Sequence, residues 1–247
     1  MTLTHEQRHR YTRQLEIIGE EGQRRLGEAR VLITGLGGLG SIIAGYLAVS
    51  GIGYLRIVDV EQVEATDLNR QIFYLSDDIG RDKPESLAKR LVGLNPFCRV
   101  DAHMERIDEK TIHHLVNDVH IIVDTLDNFT SRHVLNRAAV TRRLPLVHGA
   151  VRGLYGHALT VIPGRSACLK CIFPERPPHG TFPILGPTCG VIASVQASEV
   201  IKYATGIGAL LLDRLFAWNG RLSDAEIIDV ERNPECSVCG YIPPEVA

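Results

Sequence analysis

Two groups of residues in this chain have types and spacings that could do chemistry. The first is the glycine turn GLGGLG, in which Gly35, Gly37, Gly38 and Gly40 follow the apolar run VLIT and precede SIIAGYLAVS. Glycines at these positions let backbone N–H groups and the positive end of the following helix approach phosphate oxygens with no Cβ in the way. Asp59 closes the next apolar run, where a carboxylate can take ribose hydroxyls. The pattern points to a nucleotide, and a tight strand-to-helix packing turn is its ligand-free alternative. By themselves the glycines fit a redox dinucleotide as well as ATP.

Charged residues separate those two occupants. A nicotinamide needs a flat apolar slot, whereas a triphosphate needs cations spread along its phosphates, and Arg70 in TDLNRQ and Lys83 in GRDKPES could supply them. Asp127, in VDTLDNFTSR, follows a strand expected at 119–124, at the end where ligands bind in an open parallel sheet. A carboxylate there can hold Mg²⁺ against phosphates or cap the helix that follows.

The second group is the cysteines. Cys168-x-x-Cys171 and Cys236-x-x-Cys239 form two knuckles, each able to present two thiolates to one tetrahedral ion, with zinc the expected occupant. Four thiolates leave no open coordination position, so the role is structural; a redox dithiol is the alternative for one pair. Cys98 reads as a small buried hydrophobe. Cys189 stands just before an expected helix whose N-terminus would lower a thiol's pKa, so it reads either as helix-start packing or as a nucleophile.

The elements that must position these residues alternate. Thr4 and Gln7 form a capping box for an N-terminal helical arm over 1–28, with Gly19 and Gly22 as expected breaks. Strands are expected at 30–34, 54–59, 98–104, 119–124 and 145–150, and helices at 39–50, 82–94, 108–117 and 128–142. That order implies an α/β fold with a Rossmann-like, mainly parallel sheet covered by helices on both faces. After Gly149 the segment LYGHALTVIPG reads as an antiparallel addition. The proline- and glycine-rich stretch 172–188 reads as a long mobile loop, followed by a helix at 190–205 and strands at 214–219 and 225–230. One domain over 1–247 is expected, with 29–150 binding nucleotide and 151–247 carrying the antiparallel extension and the zinc knuckle.

A hydrophobic content of 45%, a charged content of 23% and a net charge of −2 carry no polyanion bias, which argues against nucleic acid. The stretch MTLTHEQRHRYTRQ has no apolar signal core and no run reaches membrane-spanning length, so a cytoplasmic protein with no membrane partner is expected.

Taken together, GLGGLG, Asp59, TDLNRQ, the DIG-x-x-K-P-E-S stretch, LNP, TLDN, PLVHGA, both Cys-x-x-Cys knuckles and SVQASEVIK resemble the MoeB/ThiF/HesA family, bacterial relatives of ubiquitin-activating enzymes. The likeness runs in order from RYTRQ to CSVCG. It implies an enzyme that uses Mg-ATP to adenylate the C-terminal glycine of a small ubiquitin-like sulfur-carrier protein ending in Gly-Gly, releasing pyrophosphate and preparing the carrier for thiocarboxylation. It implies a homodimer, a structural zinc, and a sulfurtransferase or cysteine desulfurase downstream. Carried onto this sequence, Gly38 would approach the phosphates and Asp59 the ribose. Asp67, Asn69, Arg70 and Lys83 would lie along the triphosphate, Asp127 would hold magnesium with Asn128 beside it, and Arg13 would reach ATP across the dimer interface. An NAD(P)-binding oxidoreductase and a non-catalytic nucleotide-binding scaffold are the competing functions.

Two departures from the family pattern stand out. The stretch Ile172 to Thr188 lacks the cysteine that relatives often place there, and Asp67 replaces the asparagine of the S-N-L-x-R-Q form.

Overall fold

The computed structural model describes residues 2–174 and 182–243. Eight strands form one sheet in the order β3-β2-β1-β4-β5-β6-β7-β8. The strands are β1 (Arg30–Thr34), β2 (Tyr54–Asp59), β3 (Arg99–Met104), β4 (Ile121–Asp124), β5 (Leu146–Arg152), β6 (Tyr155–Val161), β7 (Arg214–Asn219) and β8 (Asp224–Asp229). From β3 to β5 all neighbours are parallel; from β5 to β8 all are antiparallel. The expected α/β architecture with an antiparallel extension is therefore what the chain adopts.

Alternation along β1 sorts the core. Val31 and Ile33 face one cluster, built with α1 (His5–Glu28), α2 (Gly40–Ser50), α3 (Lys83–Leu94) and α7 (Gly186–Thr205). Leu32 faces the other, built with α4 (Ile112–Leu115), α5 (Phe129–Arg142), α6 (Leu169–Ile172) and the cysteine knuckles. A strand buried on both faces reads as a continuous apolar run, which is why VLIT was legible as a parallel strand. Among the described residues no helix is long and apolar enough to cross a membrane.

Several boundaries differ from expectation. In α1 only Gly19 leaves helical geometry, at φ +68°; Gly22 stays helical and is buried, where its lack of a side chain lets it pack beside Thr205. The short helix expected over 108–117 covers only Ile112–Leu115. The C-terminal helix begins at Gly186, four residues before its expected start, with Pro187 in its first turn, where a missing N–H costs nothing. The expected loop 172–188 is thus shortened at both ends, because Ile172 closes α6 and Gly186 opens α7. Its central residues, 175–181, lie outside the described residues.

Candidate active site

The glycine turn is built for close approach. Gly35 has φ +85°, and a Cβ there would stand 2.9 Å from Thr125 O. A Cβ on Gly40 would fall inside the carbonyl oxygen of Gly35, so the start of α2 can close onto β1 only through glycine. Thr125, just after β4, locks the turn by donating its hydroxyl to Gly35 O (2.7 Å) and Thr34 O (3.0 Å). The first turn of α2 has neither an acidic residue nor a side-chain cap, which suits its N-terminal amides to an anion.

Asp59 ends β2 beside this turn. Its Oδ2 accepts Leu36 N–H at 2.6 Å, and its Oδ1 accepts those of Val60 (2.6 Å) and Glu61 (3.0 Å). Burial pushes its pKa up against the pull of these bonds and of Lys83. Oδ2 keeps a lone pair, so a ribose hydroxyl could share the carboxylate with the turn.

Asp67 is the hub of the cationic wall. It is 6% exposed. Its Oδ1 accepts from Gln71 Nε2 (2.6 Å) and an Arg70 guanidinium nitrogen (3.3 Å), while Oδ2 accepts Glu64 N–H (3.1 Å) and lies 3.2 Å from Lys83 Nζ. Arg70 also donates to Thr66 O (2.8 Å) and to Asn69 Oδ1 (3.0 Å), so Asn69 orients Arg70. Lys83, 2% exposed, donates to Glu61 Oε2 at 2.6 Å. Burial alone would depress its pKa, but the bond to Glu61 and the charges of Asp59 and Asp67 raise it, keeping the ammonium charged.

Asp127 and Asn128 divide the work at the end of β4. Asn128 is the N-cap of α5, accepting Ser131 N–H at 2.9 Å, which corrects the capping role considered for Asp127. Asp127 is exposed, 3.4 Å from Asn128 Nδ2, with its carboxylate open to a cation. Arg13 is exposed on α1, and among the described residues no hydrogen bond or ion pair links it to Arg70, Lys83 or Asp127.

Cys189, in the first turns of α7, is 1% exposed and faces the glycine turn: a Cβ on Gly38 would meet its Sγ at 2.9 Å. Burial pushes its thiol up to about 11, against the pull of Arg70. This reverses the expected lowering by the helix end, because desolvation of a thiolate outweighs the helix dipole in a packed position. At Gly186 a Cβ would lie 3.2 Å from Asn69 O, so the start of α7 packs directly on the Arg70 segment.

The four knuckle cysteines converge. Sγ separations are 3.9 Å for Cys168–Cys171, 3.7 Å for Cys168–Cys236 and 3.4 Å for Cys171–Cys239. A zinc ion with Zn–S bonds of about 2.3 Å sets tetrahedral edges of about 3.8 Å, so the four thiols fit the ion. Backbone N–H groups of Asn233 (3.4 Å) and Val238 (3.5 Å) point at Cys171 and Cys236, as ligating thiolates require. The pairs lie on the α5 side of the sheet, where an ion would tie the C-terminal segment to α6.

Sequence reasoning missed a buried polar ladder beneath the Asp127 loop. His148 Nδ1 lies 2.7 Å from Asp124 Oδ2, and its Nε2 lies 3.2 Å from His157 Nε2. Burial would raise Asp124, yet Arg132 and His148 beside it hold its carboxyl below the usual range. Asp124 also accepts Leu126 N–H (3.1 Å), and Arg132 donates to Leu126 O, so the ladder holds the loop that carries Asp127. No periodic signal marks it, since its members come from β4, α5, β5 and β6. Glu61 was also missed, although its place two residues after Asp59 is a usable clue.

The sheet order and the glycine turn define an α/β protein with a Rossmann-like, mainly parallel sheet and an antiparallel extension. Residues 11–238 match the ThiF family, and the chain belongs to that family. It is 37% identical to the SAMP-activating enzyme E1 of Haloferax volcanii over 97% of this chain and 92% of that protein. It is 35% identical to the sulfur carrier protein adenylyltransferase of Thermus thermophilus, over 98% of this chain and 94% of that protein. Among solved structures, Escherichia coli MccB with ATP superimposes with a TM-score of 0.83 at 27% identity, covering 94% of this chain and 73% of that one. MccB in complex with N-formylated MccA gives a TM-score of 0.86 at 25% identity, covering 94% and 75%.

Proposed function

We propose that this chain is an adenylyltransferase, working as one adenylation domain, that activates the C-terminal glycine of a small ubiquitin-like sulfur-carrier protein with ATP. The observation that carries the reading is the cationic wall, half-buried Arg70 and buried Lys83 gathered on Asp67 beside the glycine turn. A nicotinamide slot has no use for a lysine that is 2% exposed and charged, whereas a triphosphate does. The names of the two relatives support the class of substrate.

The chemistry asks little of acids and bases. The carrier's terminal carboxylate is ionised at pH 7, so its oxygen attacks the α-phosphorus without losing a proton, and the bond to pyrophosphate breaks. What the protein must do is bring anions together and hold charge as it moves to the leaving group. The turn at Gly35 to Gly40 would seat phosphate, Asp59 the ribose, and Arg70 and Lys83 the β- and γ-phosphates. Asp127 is the residue that would hold magnesium, which supplies further charge neutralisation at the phosphates. Arg13 is assigned to the nucleotide of a second copy in a homodimer. Cys189 is assigned to packing, and thiocarboxylation to a separate sulfurtransferase or cysteine desulfurase.

The test is ATP–pyrophosphate exchange with a β-grasp protein ending in Gly-Gly. Exchange should require that partner and fall by about 10²-fold or more in Arg70→Ala and in Asp127→Ala. Full exchange in both variants would sink the site assignment; nucleotide binding without exchange for any such carrier would favour a scaffold.

A further inference from the structure

At the opposite edge of the sheet from the antiparallel extension, a second group of metal-ligating side chains meets. Asp101, His103 and Glu105 follow one another at every second residue of edge strand β3 and its continuation, so they share one face. Glu105 extends the ladder by donating its N–H to Asp59 O at 3.1 Å. His114 reaches the same place from α4. His103 Nδ1 lies 3.2 Å from Glu105 Oε1, and His114 Nε2 lies 2.9 Å from Glu105 Oε2. One ligand atom from each of the three residues falls within 4.8 Å of the others.

Both ring nitrogens of His103 face carboxylates, Nδ1 that of Glu105 and Nε2 that of Asp101. Asp101 is anchored by Tyr54 OH (2.5 Å) and Arg56 Nε (3.2 Å), and its Oδ2 stands 3.0 Å from His103 Nε2. Asp101 therefore sits against the ring of His103 on the side away from Glu105. An imidazole nitrogen and a carboxylate oxygen 3.2 Å apart, as His103 Nδ1 and Glu105 Oε1 are, can share one metal ion. An acidic group behind a ligating histidine is the usual outer partner of such an ion, fixing ring and tautomer.

We propose that His103, Glu105 and His114 form a second divalent transition-metal site, separate from the four-cysteine centre, with Asp101 as the outer partner of His103. Bonds of about 2.0–2.1 Å to nitrogen and oxygen give tetrahedral edges of about 3.4 Å, close to two separations already present. Two imidazoles and one carboxylate select zinc, nickel or copper over calcium and magnesium. His114 is half-exposed, so water would complete the coordination. The ion would clamp α4, only four residues long, to the edge of the sheet.

The experiment is a cobalt(II) titration of the full chain after its cysteine centre has been loaded with zinc, followed by visible absorption. One saturable equivalent is expected, with d–d bands of nitrogen and oxygen coordination and no thiolate-to-cobalt charge-transfer band. Asp101→Asn should weaken it about 10–100-fold. The double variant His103→Ala/His114→Ala should abolish it, with unchanged zinc content and far-UV circular dichroism. Glu105→Gln serves as a second variant should the double one misfold. Absence of saturable binding, charge-transfer bands alone, or equal binding by wild type and variants would overturn the proposal.

Discussion

Replacing Gly38 by alanine should injure the site in a way that a second substitution repairs. The new Cβ would stand 2.9 Å from Cys189 Sγ and 3.6 Å from Arg70 Cγ. Comfortable contact between such atoms needs about 3.7 Å, so roughly 0.8 Å of overlap must be relieved inside a packed turn. Overpacking of this size costs about 1–3 kcal/mol, and displacing α7 would also shift Arg70 and weaken nucleotide binding. Cys189→Ala alone deletes one buried heavy atom, at about 1 kcal/mol. In the double variant the methyl introduced by Gly38→Ala occupies the space that the sulfur leaves. The loss in that variant should then match that of Cys189→Ala alone, giving a coupling of about 1–3 kcal/mol between the two positions. Urea denaturation and ATP binding, each measured on all four proteins, supply both cycles. Additive losses would refute the packing argument. Loss of pyrophosphate exchange in Cys189→Ala, with stability intact, would show that the thiol does chemistry.

Two further outcomes concern the knuckle and the histidine ladder. Elemental analysis of reduced protein with Asp101, His103, Glu105 and His114 all replaced by alanine should find one zinc per chain. A strong chelator should lower its Tm, because the ion ties segments 68 residues apart; well under one zinc would reject the centre. His157 is pushed down to about 3 by burial, with the neighbouring His148 and Arg132 adding to the effect. The unfolded chain therefore takes up a proton near pH 6.5 that the folded one refuses, so stability should fall as pH drops from about 6.5 towards 3. A His157→Leu variant should show a flatter profile in that window, and an unchanged slope would contradict the assignment.

How far the sequence could be read depends on whether a feature is local. The parallel strands were legible because VLIT and its like are continuous apolar runs, and the glycine turn because its φ and close-approach demands admit little else. The cysteine centre was legible from spacing within each knuckle, although only the fold brings Cys168 to Cys236. By contrast, the start of α7 at Gly186 was hidden by a composition rich in proline and glycine, which reads as loop whether or not a helix begins inside it. Asp67 is the instructive case. Its motif placed it near phosphate, but its hydrogen bonds turn the carboxylate inward onto Arg70, Gln71 and Lys83, a choice made by residues up to sixteen positions away. The rise in the Cys189 pKa has the same origin, since burial against Gly38 is set by contact across the fold.

The order of strands has a consequence for how the chain is made. β1 lies between β2 and β4, and its partner on the β4 side arrives late: Thr34 bonds Val123 across 89 residues. At ribosomal rates of about 5–20 residues per second, one edge of this apolar strand waits roughly 5–20 s for its neighbour. During that interval the nascent chain offers an unpaired hydrophobic edge, the kind of surface that recruits chaperones or nucleates aggregates. Yield in cells should therefore respond to translation speed between β2 and β4 more than to speed after β5, where each new strand pairs with the one just completed.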